Sequence, residues 1–223
     1  MHFNNLALAV LSIGSVFSAP ATVARQDSNV LTSAISAVSN AASTVNNEVA
    51  VISMIIHSFG RSVAQTQANS SSSSANLVQN NVNNAAVPAI QASLTNIAAV
   101  ISNATGFVVP LATEVALPLA QQELDNLSGL VANVTSIAGA VQNTTNLLLA
   151  NLSQQTSSLV QTEVLSVLTT VNSLVQPVTQ FATSAIAGVS DSLTQTIATT
   201  IATSQDILDQ IQGPITAALT NLL

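Results

Sequence analysis

A Ser-His-Asp triad in this chain would have to use His57, because the only other histidine, His2, lies at the extreme N-terminus. A Ser-His-Asp triad needs such a histidine as its general base. His57 stands between Ile56 and Phe59 in a run with helical spacing, and no Gly-x-Ser-x-Gly turn is present to carry a serine nucleophile. We interpret His57 as an ordinary residue on the flank of a helix, and we expect that the chain is not an enzyme.

The nine acidic residues do not form a recognisable metal or acid–base pattern. Glu123 and Asp125 are two residues apart and would diverge on a helix, whereas Asp206 and Asp209 share a face but lack the glycine-containing loop of a calcium site. Cysteine is absent, as is any glycine-rich loop that could hold a phosphate. We therefore predict no catalytic residue, no metal and no cofactor.

The charge composition excludes several kinds of partner. Only 5% of the residues are charged, the net charge is −7, and the only basic side chains apart from histidine are Arg25 and Arg61. A nucleic-acid-binding protein needs many basic side chains to neutralise phosphates, and a basic amphipathic helix on anionic lipid needs them too. The sequence therefore predicts no nucleic-acid partner.

The N-terminal residues have the layout of a secretory signal peptide. Residues 1–18 contain the apolar stretch Leu6–Phe17, and small residues follow at the expected cleavage position. Residues 19–26 would then form a short N-terminal tail or a propeptide. We expect the mature protein to be secreted, either to the extracellular space or to a cell wall.

No further membrane segment is expected after the signal peptide. The most apolar stretch identified in the sequence is Val49–Ile56, which Ser53 interrupts. A spanning helix needs about 20 apolar residues, so this stretch is too short. We therefore predict no transmembrane span.

The clearest predicted element is a long N-terminal helix over residues 27–68. Its apolar residues recur at alternating spacings of four and three, the period of a coiled-coil seam. These residues, which we call the α1 seam, are Leu31, Ile35, Val38, Ala42, Val45, Val49, Ile52, Ile56 and Phe59. A narrow seam of this kind needs partner helices to bury it.

Residues 69–75 are a Ser-rich linker, either an O-glycosylated spacer or a plain flexible loop. Residues 76–223 continue the same domain with further helices, divided by Pro88, Gly106, Pro110 and Pro118. The C-terminal part returns to helical spacing, and Pro177 within it predicts a kink or a break. Apolar residues with this spacing are Val164, Val167, Val171, Leu174, Val178, Phe181, Ala185, Leu193, Ile197, Ile201, Leu208, Ile211 and Ile215.

Together these patterns predict an all-α fold, a bundle of amphipathic helices with coiled-coil-like seams and partly low-complexity sequence. The abundant Val, Thr, Asn and Ser are weak helix formers. The helical period nevertheless outweighs this propensity, because a two-residue alternation typical of strands is nowhere sustained.

The segment from Gly106 to Pro110 places Phe107, Val108 and Val109 in a predicted loop between helices. Large apolar residues are unusual in loops, which normally lie in water. We identify these three residues as candidate contacts with a hydrophobic surface or lipid. The alternative is that they fold back and close one end of the core.

Six Asn-x-Ser/Thr motifs are candidate N-glycosylation sites if the protein is secreted. Asn, Ser and Thr are so common in this chain that the number of motifs is no greater than chance predicts. The candidate acceptors are Asn69, Asn103, Asn126, Asn133, Asn143 and Asn151.

The signal peptide, the Ala-Pro-Ala start and the Leu31–Gly60 helix followed by a Ser-rich break resemble the fungal hydrophobic surface-binding protein A family, which includes cell-wall galactomannoproteins. The similarity covers roughly residues 19–109 and is one of composition beyond them. The near absence of Lys and the long C-terminal part depart from the family pattern. The resemblance implies a secreted helical bundle that adsorbs to apolar surfaces and can recruit secreted lipolytic enzymes, and some relatives hold fatty acids between helices.

Three functions remain open from the sequence. The first is a non-catalytic secreted or cell-wall protein that adsorbs to hydrophobic surfaces or lipid. The second is a fatty-acid or lipid carrier with a pocket inside the bundle, for which Arg61 is the only evident partner of a carboxylate. The third is a passive glycosylated wall spacer that contacts cell-wall glycans.

Overall fold

The computed structural model describes residues 21–69, 85–152, 154–189, 191–215 and 217, and in the first helix it describes the side chains of residues 29–58. The predicted signal peptide lies outside the described residues, as does the Ser-rich linker except for its first residue, Asn69. The N-terminal helix begins at Ala21, so most of the predicted tail at 19–26 is helical.

Six α-helices and one π-helical segment make up the described residues, which contain no β-strand. This confirms the prediction of an all-α fold. The helices are α1 (Ala21–Asn69), α2 (Val87–Val108), α3 (Leu111–Glu114), α4 (Gln121–Asn151), α5 (Gln154–Ile186) and α6 (Ser192–Gln210), and the π-helical segment is Ile211–Ile215.

Four of the helices form a closed arrangement, which we call the four-helix ring. Helix α1 packs against α2 and α4, α2 packs against α5, and α5 packs against α4. Helix α6 lies outside the ring, against α4 and α5. One continuous apolar core joins the side chains that these helices turn toward one another.

The α1 seam is buried or half-buried wherever its side chains are described, as its period predicts. The buried stripe is wider than predicted, because Ala34 and Ala41 are buried beside it. A wider stripe is needed since α1 faces two partners, α2 and α4. The helix spans Ala21–Asn69, slightly longer at both ends than the predicted range 27–68.

The prolines have different effects from one another. Pro88 lies in the first turn of α2, where its missing N–H costs nothing. Helix α5 is unbroken at Pro177, and the buried Leu174 and Val178 on either side hold it against its neighbours. The predicted break at this proline is therefore wrong. Pro118 lies in the non-helical connection between α3 and α4, after a cis peptide bond.

The segment Val87–Glu114 is long and apolar enough to cross a membrane by length and composition alone. The sequence analysis considered only the shorter stretch Val49–Ile56 and did not identify this segment as a candidate span. The core helix of a water-soluble bundle satisfies the same test. One face of α2 is packed in the core, through Ile90, Leu94, Ile97 and Ile101 among others.

Candidate surface-contact site

The candidate contact residues lie at the C-terminal end of α2. The expected loop from Gly106 to Pro110 is wrong, because α2 continues through Gly106 and ends at Val108. The backbone N–H of Val109 donates to the carbonyl of Thr105 at 3.0 Å, so helical hydrogen bonding extends past the glycine. Only Val109 and Pro110 form a turn before α3.

The three candidate residues do not share one environment. Phe107 is 45% exposed and Val109 is 56% exposed, whereas Val108 is 1% exposed and belongs to the core. Consecutive residues on a helix point about 100° apart, which places the middle residue inward and its neighbours outward. Val108 is therefore corrected from a candidate contact to a core residue, and Phe107 and Val109 remain available at the surface.

The same alternation continues through the connection to α4. Four apolar side chains, Val108, Leu111, Val115 and Leu119, are buried and hold this segment on the bundle. The exposed apolar residues beside and between these four anchors form what we call the apolar tip. It consists of Phe107, Val109, Ala112, Ala116, Leu117 and Pro118.

The apolar tip contains little that would bind water strongly. Between residues 107 and 120 the only charged residue is Glu114. Within the short helix α3, the carbonyl of Pro110 accepts hydrogen bonds from the N–H groups of Thr113 at 3.0 Å and Glu114 at 2.8 Å. The N–H groups of Thr113 and Glu114 are thus satisfied within the turn, which presents apolar side chains.

Two open grooves lie between α1 and the end of α2. The larger, of about 470 Å³, is lined by polar side chains of α1 such as Ser33, Ser36 and Asn40, and by Asn103 and Phe107 of α2. The smaller, of about 270 Å³, continues past Phe107 to Pro110 and Glu114. Both grooves open to solvent, and their walls carry hydroxyl and amide groups, so they differ from an enclosed acyl-chain pocket.

Many hydroxyl groups on the helices are already hydrogen-bonded to their own helix. Fifteen serines and threonines donate to the carbonyl four residues earlier, at 2.7 to 3.1 Å. A hydroxyl bonded in this way has lost its need for a water acceptor. The polar faces of these helices therefore carry neither charge nor unsatisfied hydroxyl donors at these positions.

His57 is exposed on α1, and its ring contacts its own helix. Nδ1 lies 2.7 Å from the carbonyl oxygen of Ser53 and 3.4 Å from the Ser53 hydroxyl. A catalytic triad would instead place a carboxylate at Nδ1. In the part of the chain that the structure describes, the acidic residues and His57 form no cluster that could hold a metal ion.

The glycosylation candidates differ in accessibility. Asn103, Asn143 and Asn151 are exposed, whereas Asn126 and Asn133 are half-buried. Asn69 is the last residue of α1, and its side chain lies outside the described part. Four of the six acceptors, those from Asn126 to Asn151, lie on the single helix α4.

Several exposed apolar residues escaped the sequence analysis. Leu117 belongs to the apolar tip, while Val51 and Met54 lie on α1 and Leu159 lies on α5. Val51 and Met54 fall outside the spacing of the α1 seam, and this signal could have marked them as exposed. No comparable signal marks Leu117 and Leu159.

Comparison with known proteins gave no match: no family model, no curated protein and no solved structure is similar to this chain.

Proposed function

We propose that this protein is a secreted, non-catalytic protein that adsorbs to hydrophobic surfaces, and that the apolar tip makes the first contact. The observation that carries this proposal is the exposure of Phe107, Val109 and Leu117 together on a segment anchored by buried neighbours. Large exposed apolar residues that lie close together commonly belong to interaction sites. The anchoring allows contact without the loss of core residues.

The chemistry of the helix surfaces supports the same function. Moving a charged group out of water is far more costly than moving a hydroxyl that already has a hydrogen-bonding partner. Two hydroxyl donors in or beside this segment, those of Thr105 and Thr113, are bonded to backbone carbonyls, so this part of the surface can approach an apolar phase at lower cost.

The lipid-carrier alternative would need an enclosed apolar cavity. Both grooves beside α1 are open to solvent; the larger is lined mainly by Ser, Thr and Asn, and the smaller combines Asn29, Ser33 and Glu114 with apolar side chains. Their openness favours surface adsorption over the storage of an acyl chain. Lipid extraction followed by mass spectrometry of natively secreted protein tests this directly. A stoichiometric acyl chain that copurifies with the protein would favour the carrier.

The principal test is the triple variant Phe107→Ser/Val109→Ser/Leu117→Ser. We expect weaker adsorption to a methyl-terminated surface, measured by quartz-crystal microbalance, with little change in thermal stability because these side chains are exposed. The matched control replaces three exposed apolar residues elsewhere, Val51→Ser/Met54→Ser/Leu159→Ser.

The two triple variants distinguish adsorption through the apolar tip from adsorption through any exposed apolar residue. Equal losses of adsorption in both would mean that the apolar tip has no special role. Unchanged adsorption of the tip variant would remove the tip from the mechanism. If the wild-type protein itself does not adsorb, the proposed function is wrong.

The absence of catalysis is tested through His57. Any hydrolase activity in a preparation should survive His57→Ala, because Nδ1 is engaged with a backbone carbonyl of its own helix. Such hydrolase activity should also decrease as purification proceeds. Activity that copurifies with the protein and is lost with His57 would contradict this proposal.

A further inference from the structure

Helix α6 is the one long helix outside the four-helix ring. It lies along α4, and three close approaches show that the two helices run in the same direction: Thr135 to Ser204, Gly139 to Ile207, and Gln142 to Gln210. In each pair the residue numbers differ by nearly the same amount. Helix α6 is therefore parallel to α4 over its C-terminal part, from Ser204 to Gln210.

The side of α4 that meets α6 is not the side that faces the ring. The α6 side carries small or polar residues, namely Thr135, Gly139 and Gln142. The buried Leu127, Val134 and Val141 lie roughly 110° away around the helix, at about 100° per residue, and the buried Leu124, Val131 and Ala138 lie between the two sides in the same core. Leu127, Val134 and Val141 can therefore stay packed in the ring when α6 is absent.

The polar contacts that hold α6 are all between neutral groups. The hydroxyls of Thr135 and Ser204 lie 2.5 Å apart, and the Gln142 amide donates to Gln210 at 2.8 Å. Just after α6, the Gln212 amide donates to Asn172 of α5 at 2.9 Å. Water can replace such contacts at small net cost, because a neutral hydrogen bond contributes only about 0.5–1.5 kcal/mol to stability.

Helix α6 also carries its own N-terminal cap. The carboxylate of Asp191 accepts the N–H of Thr194 at 2.7 Å, and the Asp191 N–H donates to the Thr194 hydroxyl at 3.1 Å. The hydroxyls of Thr196, Thr199 and Thr203 donate to carbonyls within the helix. These hydrogen bonds within α6 would persist if the helix moved away from α4 and α5.

One face of α6 is apolar, and a glycine stands before the helix. Ile197, Ile201 and Leu208 are buried against the ring and form a stripe with helical spacing, which we call the α6 stripe. Gly188, in the connection from α5, has a φ of +82°, a conformation that other residues adopt rarely. Gly188 lies in a turn directly after α5, which is a suitable position for a hinge.

We infer that α6 is a releasable arm that turns about the connection at Gly188 and lays the α6 stripe on an uncharged apolar surface. This inference rests on the proposed function. The surface must be uncharged rather than anionic, because α6 contains Asp206 and Asp209 and no Lys or Arg. The apolar tip makes the first contact, and the arm then increases the apolar area in contact.

The test locks the arm in place with Thr135→Cys/Ser204→Cys. The natural chain has no cysteine, so the engineered pair can form only one intramolecular disulfide. The two hydroxyl oxygens that the sulfurs replace are 2.5 Å apart, close to the roughly 2.05 Å of a disulfide bond. The measurement is the rate at which the protein lowers the tension of a decane–water interface.

We expect the oxidised variant to lower the interfacial tension at least about tenfold more slowly than the same variant after reduction, since a covalent link suppresses opening of α6. The single variants Thr135→Cys and Ser204→Cys serve as controls and should behave as the reduced pair does. Equal rates for the oxidised and reduced forms would overturn the releasable arm. The proposed function would survive that result as long as the wild type still adsorbs.

A second variant is expected to increase the rate at which the protein lowers the interfacial tension. Ser204 is fully buried, so Ser204→Leu removes the contact with Thr135 and forces a larger side chain into the interface. This should loosen α6 without affecting the ring and should increase the rate of adsorption several-fold. An unchanged or lower rate in a folded Ser204→Leu protein would contradict the inference.

Discussion

The α1 seam and the apolar tip are built from the same kinds of residue and have opposite relations to solvent. In the α1 seam, apolar residues recur with a regular period, and Val38, Val45 and Ile52 are fully buried. In the apolar tip there is no sustained period, and buried anchors alternate with exposed side chains. The comparison shows that it is the spacing of apolar residues, more than their number, that indicates whether they are buried.

The largest effect that would test this comparison is expected at the α1 seam. Val45 is fully buried, so Val45→Asp places an unpaired charge in the core and should destabilise the protein by several kcal/mol, about 3–5. The control is Val51→Asp on the same helix, where the valine is 38% exposed. Thermal unfolding followed by circular dichroism measures both variants.

We expect Val45→Asp to be unfolded or strongly loosened and Val51→Asp to melt close to the wild type. Similar melting temperatures for the two variants would mean that the seam is not the core of the bundle. A spectrum dominated by strand in the wild type would contradict the fold itself.

An intermediate effect is expected at two adjacent valines, the buried anchor Val108 and Val109 of the apolar tip. Val108 is an anchor in the core, so Val108→Ser should lower the free energy of unfolding by about 1.5–3 kcal/mol. Val109 is exposed, and Val109→Ser should change it by less than about 0.5 kcal/mol. Urea unfolding of the two single variants gives both values.

These neighbours sharpen the comparison because they differ only in the direction of the side chain. If both substitutions destabilise the protein equally, the whole segment closes the end of the core, as the alternative interpretation of the sequence holds. If neither does, Val108 is not an anchor.

The sequence was most informative where the helical period of apolar residues was maintained over a long segment. The nine residues of the α1 seam, spaced alternately four and three apart, predicted both the helix and its buried face. The series from Val164 to Ala185 did the same for α5. Such series work because the geometry of one helix fixes which residues share a face. The position of α6 outside the ring could not be predicted, since its apolar spacing is like that of the ring helices.

The apolar tip shows where local signals fail. Gly106 suggested an end of the helix, yet the helix continues because glycine only weakly disfavours helix and the following Val108 and Leu111 gain burial. The sequence could mark Phe107, Val108 and Val109 as unusual but could not separate the exposed pair from the anchor. That separation depends on tertiary packing.

The smallest expected effect concerns a polar contact inside the ring. Glu163 on α5 accepts a hydrogen bond from the Gln91 amide of α2 at 3.3 Å through Oε1, while its buried Oε2 has no hydrogen-bonding partner among the described residues. Gln91 also donates to the carbonyl of Leu159 at 2.7 Å, so the contact between the helices does not depend on the carboxylate. A half-satisfied carboxylate beside an apolar core carries a desolvation cost.

We therefore expect Glu163→Gln to leave the stability unchanged or to raise it by up to about 1 kcal/mol at neutral pH, because the amide has a similar shape and no charge. Glu48→Gln provides the control, since the half-buried Glu48 accepts from Asn96 at 2.6 Å and has no buried unpartnered oxygen. A loss of more than about 1 kcal/mol in Glu163→Gln would show that the charge itself is needed between α2 and α5. The ring would then contain an essential buried charge, and the view that this bundle is held almost wholly by apolar packing and neutral hydrogen bonds would have to change.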